Sequence, residues 1–165
     1  MILQYIKMDK RNLSTNYFYI KENVLTREYR IYKYLHNMEF KFIPKLYHYD
    51  KNKKKLKTQK INGLSISDFY GEKFEDIPQH IIDKIRYIIT SLYNIGIIYP
   101  DITGYNFIED ANSNIWIIDF EHCFYINHYD ENNDSLIEIK DKDEHLDFVN
   151  RFCFKNENGW NPYFA

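Results

Sequence analysis

Three oxygen-bearing side chains lie close together in one stretch of the sequence. Asp101 and Asn106 bracket a short polar loop, and Asp119 directly follows the apolar run Ile115–Ile118. An aspartate at the exposed end of a buried strand, near a second aspartate and an asparagine, supplies oxygen ligands for a hard cation such as Mg²⁺. One carboxylate then stays free to orient a hydroxyl group for phosphoryl transfer. The stretch therefore predicts a metal-dependent transfer site.

A cation and a further acid lie upstream of these residues. Lys21 ends a predicted strand at 16–21, and Thr26 is predicted to cap a helix at 27–37. Glu28 shares one face of that helix with the apolar residues Ile31, Tyr32 and Leu35. An inward-facing glutamate needs a cation, and Lys21 is the nearest candidate. The alternative is that Glu28 lies at the edge of the apolar stripe, where the helix dipole favours an acid in the first turn.

The first sixty residues predict a small antiparallel sheet with one helix packed on it. The predicted strands lie at 2–8, 16–21, 46–49 and 56–61, and the helix follows the second of them. Asn62 and Gly63 break the last strand, and residues 64–70 are interpreted as a short helical turn. The lysine-rich segment at 51–55 could contact RNA or an anionic membrane, but a hairpin tip rich in charge is typically a solvated turn.

The second half predicts a longer helix, followed by the loop and strands that carry the acids. Pro78 lies at a tolerated early position of this helix, and Gly96 ends it. Its broad apolar face consists of Ile81, Ile82, Ile85, Ile88, Ile89, Leu92 and Ile95. The remaining predicted elements are strands at about 107–109 and 115–118, a helix at 141–154 and a docked aromatic tail at 158–164.

Composition predicts a single globular domain over residues 1–165. Hydrophobic residues make up 44% and charged residues 28% of the chain, and no apolar run has the length of a membrane span. The first residues lack the pattern of a secretory leader, so we expect a cytoplasmic protein with reduced cysteines. The net charge of −2 argues against a polyanion partner, so neither a membrane nor nucleic acid is expected. The 16 Tyr and 12 Phe, beside abundant Ile, Asn and Lys, fit A/T-rich codons and are not taken as a base-stacking surface.

The residues around the acids resemble the protein-kinase-like superfamily. Asp101-Ile-Thr-Gly-Tyr-Asn106 has the Asp-x₄-Asn spacing of the kinase catalytic loop, and Asp119-Phe-Glu resembles the metal-binding Asp-Phe-Gly. The loop is most similar to compact atypical kinases, namely RIO kinases, the small kinase of the tRNA-threonylcarbamoylation complex, and aminoglycoside or choline phosphotransferases. Short kinase-like proteins of large DNA viruses are also similar, and the A/T bias fits a viral source, in which case the host cytoplasm is the expected location.

This resemblance spans residues 17–122 and implies an α+β fold, a minimal bilobal protein-kinase-like fold. A small antiparallel sheet with one helix would form the N-terminal lobe at about 1–61. A truncated helical lobe would occupy about 64–165.

The resemblance also implies a role for each candidate residue. Asp101 would orient or deprotonate the acceptor hydroxyl, and Asn106 and Asp119 would hold Mg²⁺ that bridges the phosphates of ATP. Lys21 would contact phosphate oxygens and be positioned by Glu28. The implied cofactors are therefore ATP and Mg²⁺.

The nucleotide clamp departs from the kinase pattern. The backbone of Lys60, Ile61 and Asn62 would meet the adenine, but no glycine occurs before Gly63, so a glycine-rich loop over the phosphates is missing. Tyr19 occupies the place of a small residue beneath the adenine, where its ring could fill the pocket.

Two departures concern the residues beside the acids. Tyr99 replaces the histidine of the catalytic loop, and Glu121 replaces the glycine after Asp-Phe.

Two further readings stay open beside the phosphotransferase. The first is a pseudokinase, a catalytically weak or inactive scaffold that binds another protein. The second is a metal site built from His122, Cys123 and His128, with His145 or Cys153, but this spacing matches no common zinc pattern. The acceptor of the phosphotransferase would be an unidentified protein or small molecule, and a protein partner could complete the truncated site.

Overall fold

The N-terminal part of the chain folds as a three-stranded antiparallel sheet with a helix packed against it. The structure is a computed structural model and describes residues 17–125. Its first elements are β1 (Phe18–Lys21), α1 (Thr26–Asn37), β2 (Leu46–Asp50) and β3 (Lys55–Gln59). The strand order is β1-β3-β2, with β3 in the centre. The strands predicted at 16–21, 46–49 and 56–61 are confirmed, except that the last one ends two residues earlier, at Gln59. The strand predicted at 2–8 lies outside the described residues.

Helix α1 begins one residue earlier than predicted. The prediction that Thr26 caps it is wrong, because Thr26 is the first helical residue and Leu25 is the N-cap. The carbonyl of Leu25 already accepts the first helical hydrogen bond, from the N–H of Tyr29 at 3.3 Å. The predicted inward face is confirmed, and its buried members are Glu28, Ile31, Tyr32 and Leu35.

The rest of the described chain forms two further sheets and two helices. The elements are β4 (Gly63–Ser65), α2 (Ile66–Tyr70), α3 (Gln79–Asn94), β5 (Ile97–Ile98), β6 (Phe107–Asp110), β7 (Ile115–Ile117) and β8 (Phe124–Tyr125). Single turns of 3₁₀ helix lie at Phe74–Asp76 and Gly104–Asn106. The second sheet has the order β4-β6-β7, and β5 pairs with β8 in the third.

Strand β4 corrects the prediction of a helical turn over residues 64–70, of which only the later part is helical. The sequence predicts that Gly63 ends a strand, but Gly63 pairs with Asp110 in the second sheet. A Cβ atom at position 63 would lie 2.0 Å from the carbonyl oxygen of Glu109. Glycine is therefore needed here because two backbones approach closely, rather than because the chain turns.

Helix α3 is the main core helix of the second half. Gly96 follows its end with a φ of +84°, so the predicted end is confirmed, whereas Pro78 is the N-cap and the first helical residue is Gln79. Six of the seven predicted apolar-face residues are buried, and Ile95 is half-buried. Strands β5 and β8 were not predicted, since two residues carry no usable periodicity.

The two halves share one apolar core and are joined by hydrogen bonds to backbone carbonyls. The N–H of Ile117 donates to the carbonyl of Phe42 at 2.8 Å, and the hydroxyl of Tyr34 donates to the carbonyl of Ile95 at 2.6 Å. The helix predicted at 141–154 and the tail at 158–164 lie outside the described residues. Among the helices that the structure describes, none is both long enough and apolar enough to cross a membrane.

Candidate active site

Lys21 lies at the centre of a group of acids. It ends β1, and its ammonium group donates to both carboxylate oxygens of Glu28, at 3.0 and 3.1 Å. The same ammonium group donates to Oδ1 of Asp119 at 2.8 Å and lies 3.5 Å from a carboxylate oxygen of Glu121. The predicted Lys21–Glu28 pair is therefore confirmed. Asp119 and Glu121, near the other end of the described residues, also contact Lys21.

Glu28 owes its position to burial in the first turn of α1. Its side chain is only 1% exposed, which excludes the alternative placement at the edge of the apolar stripe. Burial raises the pKa of Glu28, and the ammonium group of Lys21 opposes this shift. Burial alone would lower the pKa of Lys21, but its hydrogen bond to Asp119 and the charge of Glu28 outweigh that effect and raise it. Lys21 is therefore expected to carry its positive charge at neutral pH.

Asp101 and Asn106 are held together by a short polar loop. The side-chain amide of Asn106 donates to the backbone carbonyl of Asp101 at 3.0 Å and to its carboxylate at 2.7 Å. Burial raises the pKa of Asp101, the hydrogen bond from Asn106 opposes this, and the charges of Asp119 and Glu121 raise it further. The charges of the acids around Lys21 therefore act on the carboxylate of this loop.

Backbone contacts tie the loop to Asp119. The N–H of Ile118 donates to the carbonyl of Asn106 at 3.0 Å, and the hydroxyl of Tyr99 donates to the carbonyl of Ile118 at 2.7 Å. Burial raises the pKa of Tyr99 well above its ordinary value, so its hydroxyl stays a donor. Asp119 itself has a φ of +62°, in the left-handed region that aspartate tolerates better than most side chains.

Aromatic packing fixes the residue after Asp119. Phe120 is fully buried, and its ring meets those of Tyr32 and Tyr99 edge to face, with centroids 4.8 and 5.6 Å apart. Such packing anchors the backbone on the far side of Asp119. The sequence identified Tyr99 only as a replacement for histidine. The hydrogen bond from Tyr99 to the carbonyl of Ile118 shows that Tyr99 positions the backbone directly before Asp119.

Glu121 is a site residue that the sequence prediction missed. Carboxylate oxygens of Glu28, Asp119 and Glu121 lie within 4.8 Å of one another, with the ammonium group of Lys21 bonded among them. Arg27 donates to the carbonyl of Glu121, which fixes the start of the following turn. The available signal was its place two residues after Asp119 in the metal-binding motif.

Two oxygen atoms fit a hard cation such as Mg²⁺. Because the amide nitrogen of Asn106 donates to Asp101, the amide oxygen of Asn106 is left as a possible ligand. Oδ1 of Asp119 accepts from Lys21 and from the N–H of Glu121, whereas Oδ2 accepts from no residue that the structure describes. An amide oxygen and a carboxylate oxygen are the donor types that Mg²⁺ prefers.

A cavity of about 280 Å³ adjoins this group, close to the lower end of the ~300–1,000 Å³ range of small-molecule sites. Its wall includes Lys21, Asp119, Tyr19, Lys60, Ile61, Ile108 and Ile118. Tyr19 is 57% exposed and forms part of the wall, so its ring leaves the cavity open. Of the three residues expected to meet adenine, Lys60 and Ile61 line the cavity, whereas Asn62 is exposed and does not.

A larger cavity of about 670 Å³ lies between α3 and the β6–β7 hairpin. Its wall includes Lys41, Phe42, Tyr87 and Trp116, and none of Lys21, Asp101 or Asp119 contributes to it. Size alone would select this cavity, but the convergent acids and lysine select the smaller one.

The alternative metal site is not formed by the described residues. Within residues 17–125, the only group of three potential metal-ligating side chains consists of acids, and neither His122 nor Cys123 belongs to it. Cys123 is buried, and burial raises the pKa of its thiol. His128, His145 and Cys153 lie outside the described residues.

Comparisons with known proteins bear on the family and the fold of this chain. The sequence model of the RIO domain matches residues 2–152. A solved structure that matches is the Cydia pomonella granulovirus kinase PK-1, with a TM-score of 0.53 and 17% sequence identity over 68% of this chain. The matched part spans 46% of the length of that viral kinase. No curated protein matches the sequence. The structural match shows that the α+β fold is of the minimal kinase-like type.

Proposed function

This chain belongs to the RIO-domain family, and we propose that it is a minimal ATP- and Mg²⁺-dependent phosphotransferase. One observation carries the proposal: the ammonium group of Lys21 joins Glu28 to Asp119 at the wall of a cavity. A scaffold has no physical need for this arrangement, whereas phosphoryl transfer requires a cation and oxygen ligands that converge on one place.

Each side chain has a role in this reaction that follows from its contacts. Bound Mg-ATP would supply the phosphoryl group and a charge-neutralising cation. The amide oxygen of Asn106 and the carboxylate of Asp119 would hold the metal, and Lys21 would contact phosphate oxygens. Asp101 would orient the acceptor hydroxyl and take its proton.

Asp101 suits the role of a general base. The amide of Asn106 fixes one of its oxygens at 2.7 Å and leaves the other to accept from an acceptor hydroxyl. Burial raises the pKa of Asp101, which makes the carboxylate a stronger base than an ordinary aspartate. Positioned bases of this kind contribute roughly 10²–10⁴-fold to a rate.

Lys21 would hold the site together before the metal arrives. Glu28, Asp119 and Glu121 carry three negative charges against one ammonium group, so the cluster has an excess of negative charge. Asp119 would hold the metal through Oδ2 and bind Lys21 less tightly through Oδ1, while Lys21 would keep its two bonds to Glu28. The ammonium group is then available to a phosphate.

The nucleotide would lie in the cavity beside the chain connection between β3 and β4. The backbone of Lys60 and Ile61 would face the adenine, with Ile108 and Ile118 as apolar walls. Because no glycine precedes Gly63, the phosphates would be gripped mainly by Lys21 and the metal. The acceptor would be a hydroxyl group of a protein or a small molecule, and a protein partner could complete the site.

A thermal-shift experiment tests this proposal. We expect ATP with Mg²⁺ to raise the melting temperature of the wild-type chain, and Asp119→Asn to lose that effect because the metal loses its charged ligand. Asp76→Asn is the matched control, since it removes an exposed carboxylate outside the site. Radiolabelled ATP then measures turnover in the same preparations.

The rival function is a pseudokinase that binds another protein. It is favoured by the missing glycine-rich loop, because no glycine precedes Gly63 to hold the phosphates of ATP. If ATP stabilises the wild-type chain no better with Mg²⁺ than without it, the phosphotransferase proposal fails and the binding module remains. Metal-dependent stabilisation together with turnover would reject the pseudokinase.

A further inference from the structure

The three-stranded sheet has two faces of different chemistry. Leu56 and Thr58 of β3 point into the protein, so Lys57, which lies between them, points to the opposite side. Phe18 pairs with Gln59, and Ile20 and His48 both pair with Lys57, so these residues share that side. We call this surface the outer sheet face, and it comprises Phe18, Ile20, Lys45, Tyr47, His48 and Lys57.

This face lies in the most basic part of the chain. Residues 45–60 contain seven lysines and a single acid, Asp50, whereas the whole chain has a net charge of −2. Lys55 pairs with Glu22 at 2.6 Å, and Lys53 pairs with Asp50 at 3.9 Å. In the described part of the chain, the other lysines of this segment have no carboxylate at ion-pair distance. They are Lys45, Lys51, Lys54, Lys57 and Lys60.

Aromatic rings alternate with these lysines. The ammonium group of Lys57 lies 3.7 Å from the ring centre of Phe18, and that of Lys45 lies 5.8 Å from the ring centre of Tyr47. A β-bulge between Leu46 and His48 turns Tyr47 to the surface, where it is 47% exposed. Bulges re-aim side chains in this way. The cation–π contacts hold each ring beside a positive charge.

We propose that the outer sheet face binds single-stranded nucleic acid. Lysines would contact phosphates, while Phe18 and Tyr47 would each offer a ring on which an unpaired base stacks. An antiparallel sheet with an exposed ring at Tyr47, a half-exposed ring at Phe18 and basic neighbours is a surface on which two splayed bases can lie. An acidic peptide would match the charge but would make no use of the rings, and a duplex presents no free base faces to stack on.

The proposal differs from the expectation drawn from net charge. The net charge is a sum over the whole chain, and the lysines at 51–55 were expected to form a solvated turn. The fold places that turn at the end of a sheet whose outer face continues the positive charge through Lys57 and Lys45. The binding surface is separate from the phosphotransfer cavity, which is lined by residues of the opposite face of the same sheet, such as Lys21 and Leu56.

Fluorescence anisotropy with labelled 12-nucleotide RNA and DNA single strands tests the proposal on the full chain. We expect binding at low salt that weakens as salt rises, with a slope set by the number of phosphate contacts. The double variant Lys45→Glu/Lys57→Glu should weaken binding at least tenfold and reduce the magnitude of the slope by about 1.4, since each contact contributes about 0.7 for single strands. RNA and DNA of the same sequence distinguish the two forms of the ligand.

Tyr47→Ala separates stacking from charge. It removes an exposed ring and keeps every lysine, so we expect binding to fall at least about fivefold with an unchanged salt slope. The matched control Lys33→Glu/Lys41→Glu makes the same change of charge at exposed lysines away from the outer sheet face and should leave binding within about twofold. Melting temperatures verify that each variant is folded.

Several outcomes would overturn the proposal. They are no binding of single strands at low salt, equal loss in the control variant, no effect of Tyr47→Ala, or tighter binding of a duplex. Equal competition by polyglutamate or by anionic phospholipid vesicles would show a surface that reads charge alone. Asp119→Asn should retain oligonucleotide binding, so this test does not depend on the proposed catalytic function.

Discussion

The two halves of the candidate active site are held by different kinds of contact. The acid loop, residues 101–106, is fixed by hydrogen bonds over short sequence distances, such as those from the Asn106 amide to Asp101. The lysine cluster consists of Lys21, Glu28, Asp119 and Glu121, and its Lys21–Asp119 bond joins residues 98 positions apart. A local turn can form by itself, whereas the cluster exists only when both parts of the fold are in place.

This difference predicts how substitutions act in the two halves of the site. The acid loop is held by hydrogen bonds within a few residues, so a substitution there should alter the reaction rate more than the stability of the fold. The lysine cluster balances three carboxylates on one ammonium group, so a substitution there changes charge, metal affinity and stability together. The following predictions test this contrast, beginning with the largest effect.

Asp101→Asn and Asp119→Asn should separate turnover from nucleotide binding. We expect Asp101→Asn to lower the rate roughly 10²–10⁴-fold while it keeps metal-dependent stabilisation by ATP, because it removes only the base. Asp119→Asn should lose both properties. Turnover and thermal shift measured on the same preparations check this, and equal loss of binding in the two variants would contradict the contrast.

Lys21→Met should destabilise the fold by about 2 kcal/mol, because it leaves the buried carboxylate of Glu28 without its cation. Burial already raises the pKa of Glu28, so the variant should regain stability as the pH falls and this group takes up a proton. Denaturant unfolding at several pH values measures the effect.

The double variant Lys21→Met/Glu28→Leu is the control for that interpretation. Replacement of both partners by apolar side chains should recover much of the loss, with a coupling energy of about 1–3 kcal/mol between the two sites. Additive losses would show that Lys21 and Glu28 act separately.

Much of this arrangement could be predicted from local sequence. The polar loop from Asp101 to Asn106, the inward face of α1 and the end of α3 follow from periodicity and turn signals within a few residues. Glu121 could not be placed in this way, because its contact with Lys21 depends on how two distant segments meet. Strand β4 was missed because a glycine needed for close backbone approach gives the same local signal as a turn.

Tyr99→Phe should have an intermediate effect that links the two halves. It removes the hydrogen bond to the carbonyl of Ile118, directly before Asp119, and leaves a partly buried acceptor without its donor. We expect a loss of about 1–3 kcal/mol in the free energy of unfolding and weaker metal-dependent stabilisation by ATP. Tyr105→Phe, at an exposed hydroxyl that donates to Glu72, is the matched control and should change stability by less than about 1 kcal/mol.

Glu121→Gln should have the smallest effect, and it tests the charge coupling between the halves. The charge of Glu121 helps to raise the pKa of Asp101, so its removal should lower that pKa. The rate falls on the acidic side as Asp101 takes up a proton, so this acidic limb should move to lower pH in the variant. A pH profile of kcat/KM measures the shift, and a move to higher pH would contradict the coupling.

Gly63 sets how the cavity can open. Only Lys60, Ile61 and Asn62 lie between the end of β3 and the start of β4, and the close contact of Gly63 with Glu109 fixes the far end of this connection. Any swing of the first sheet away from the second must be absorbed by the backbone torsions of these three residues, as in hinge motion. The flexibility of this connection would then limit the rate at which a nucleotide product leaves the cavity. Asn62→Pro would stiffen the connection and slow release of the product.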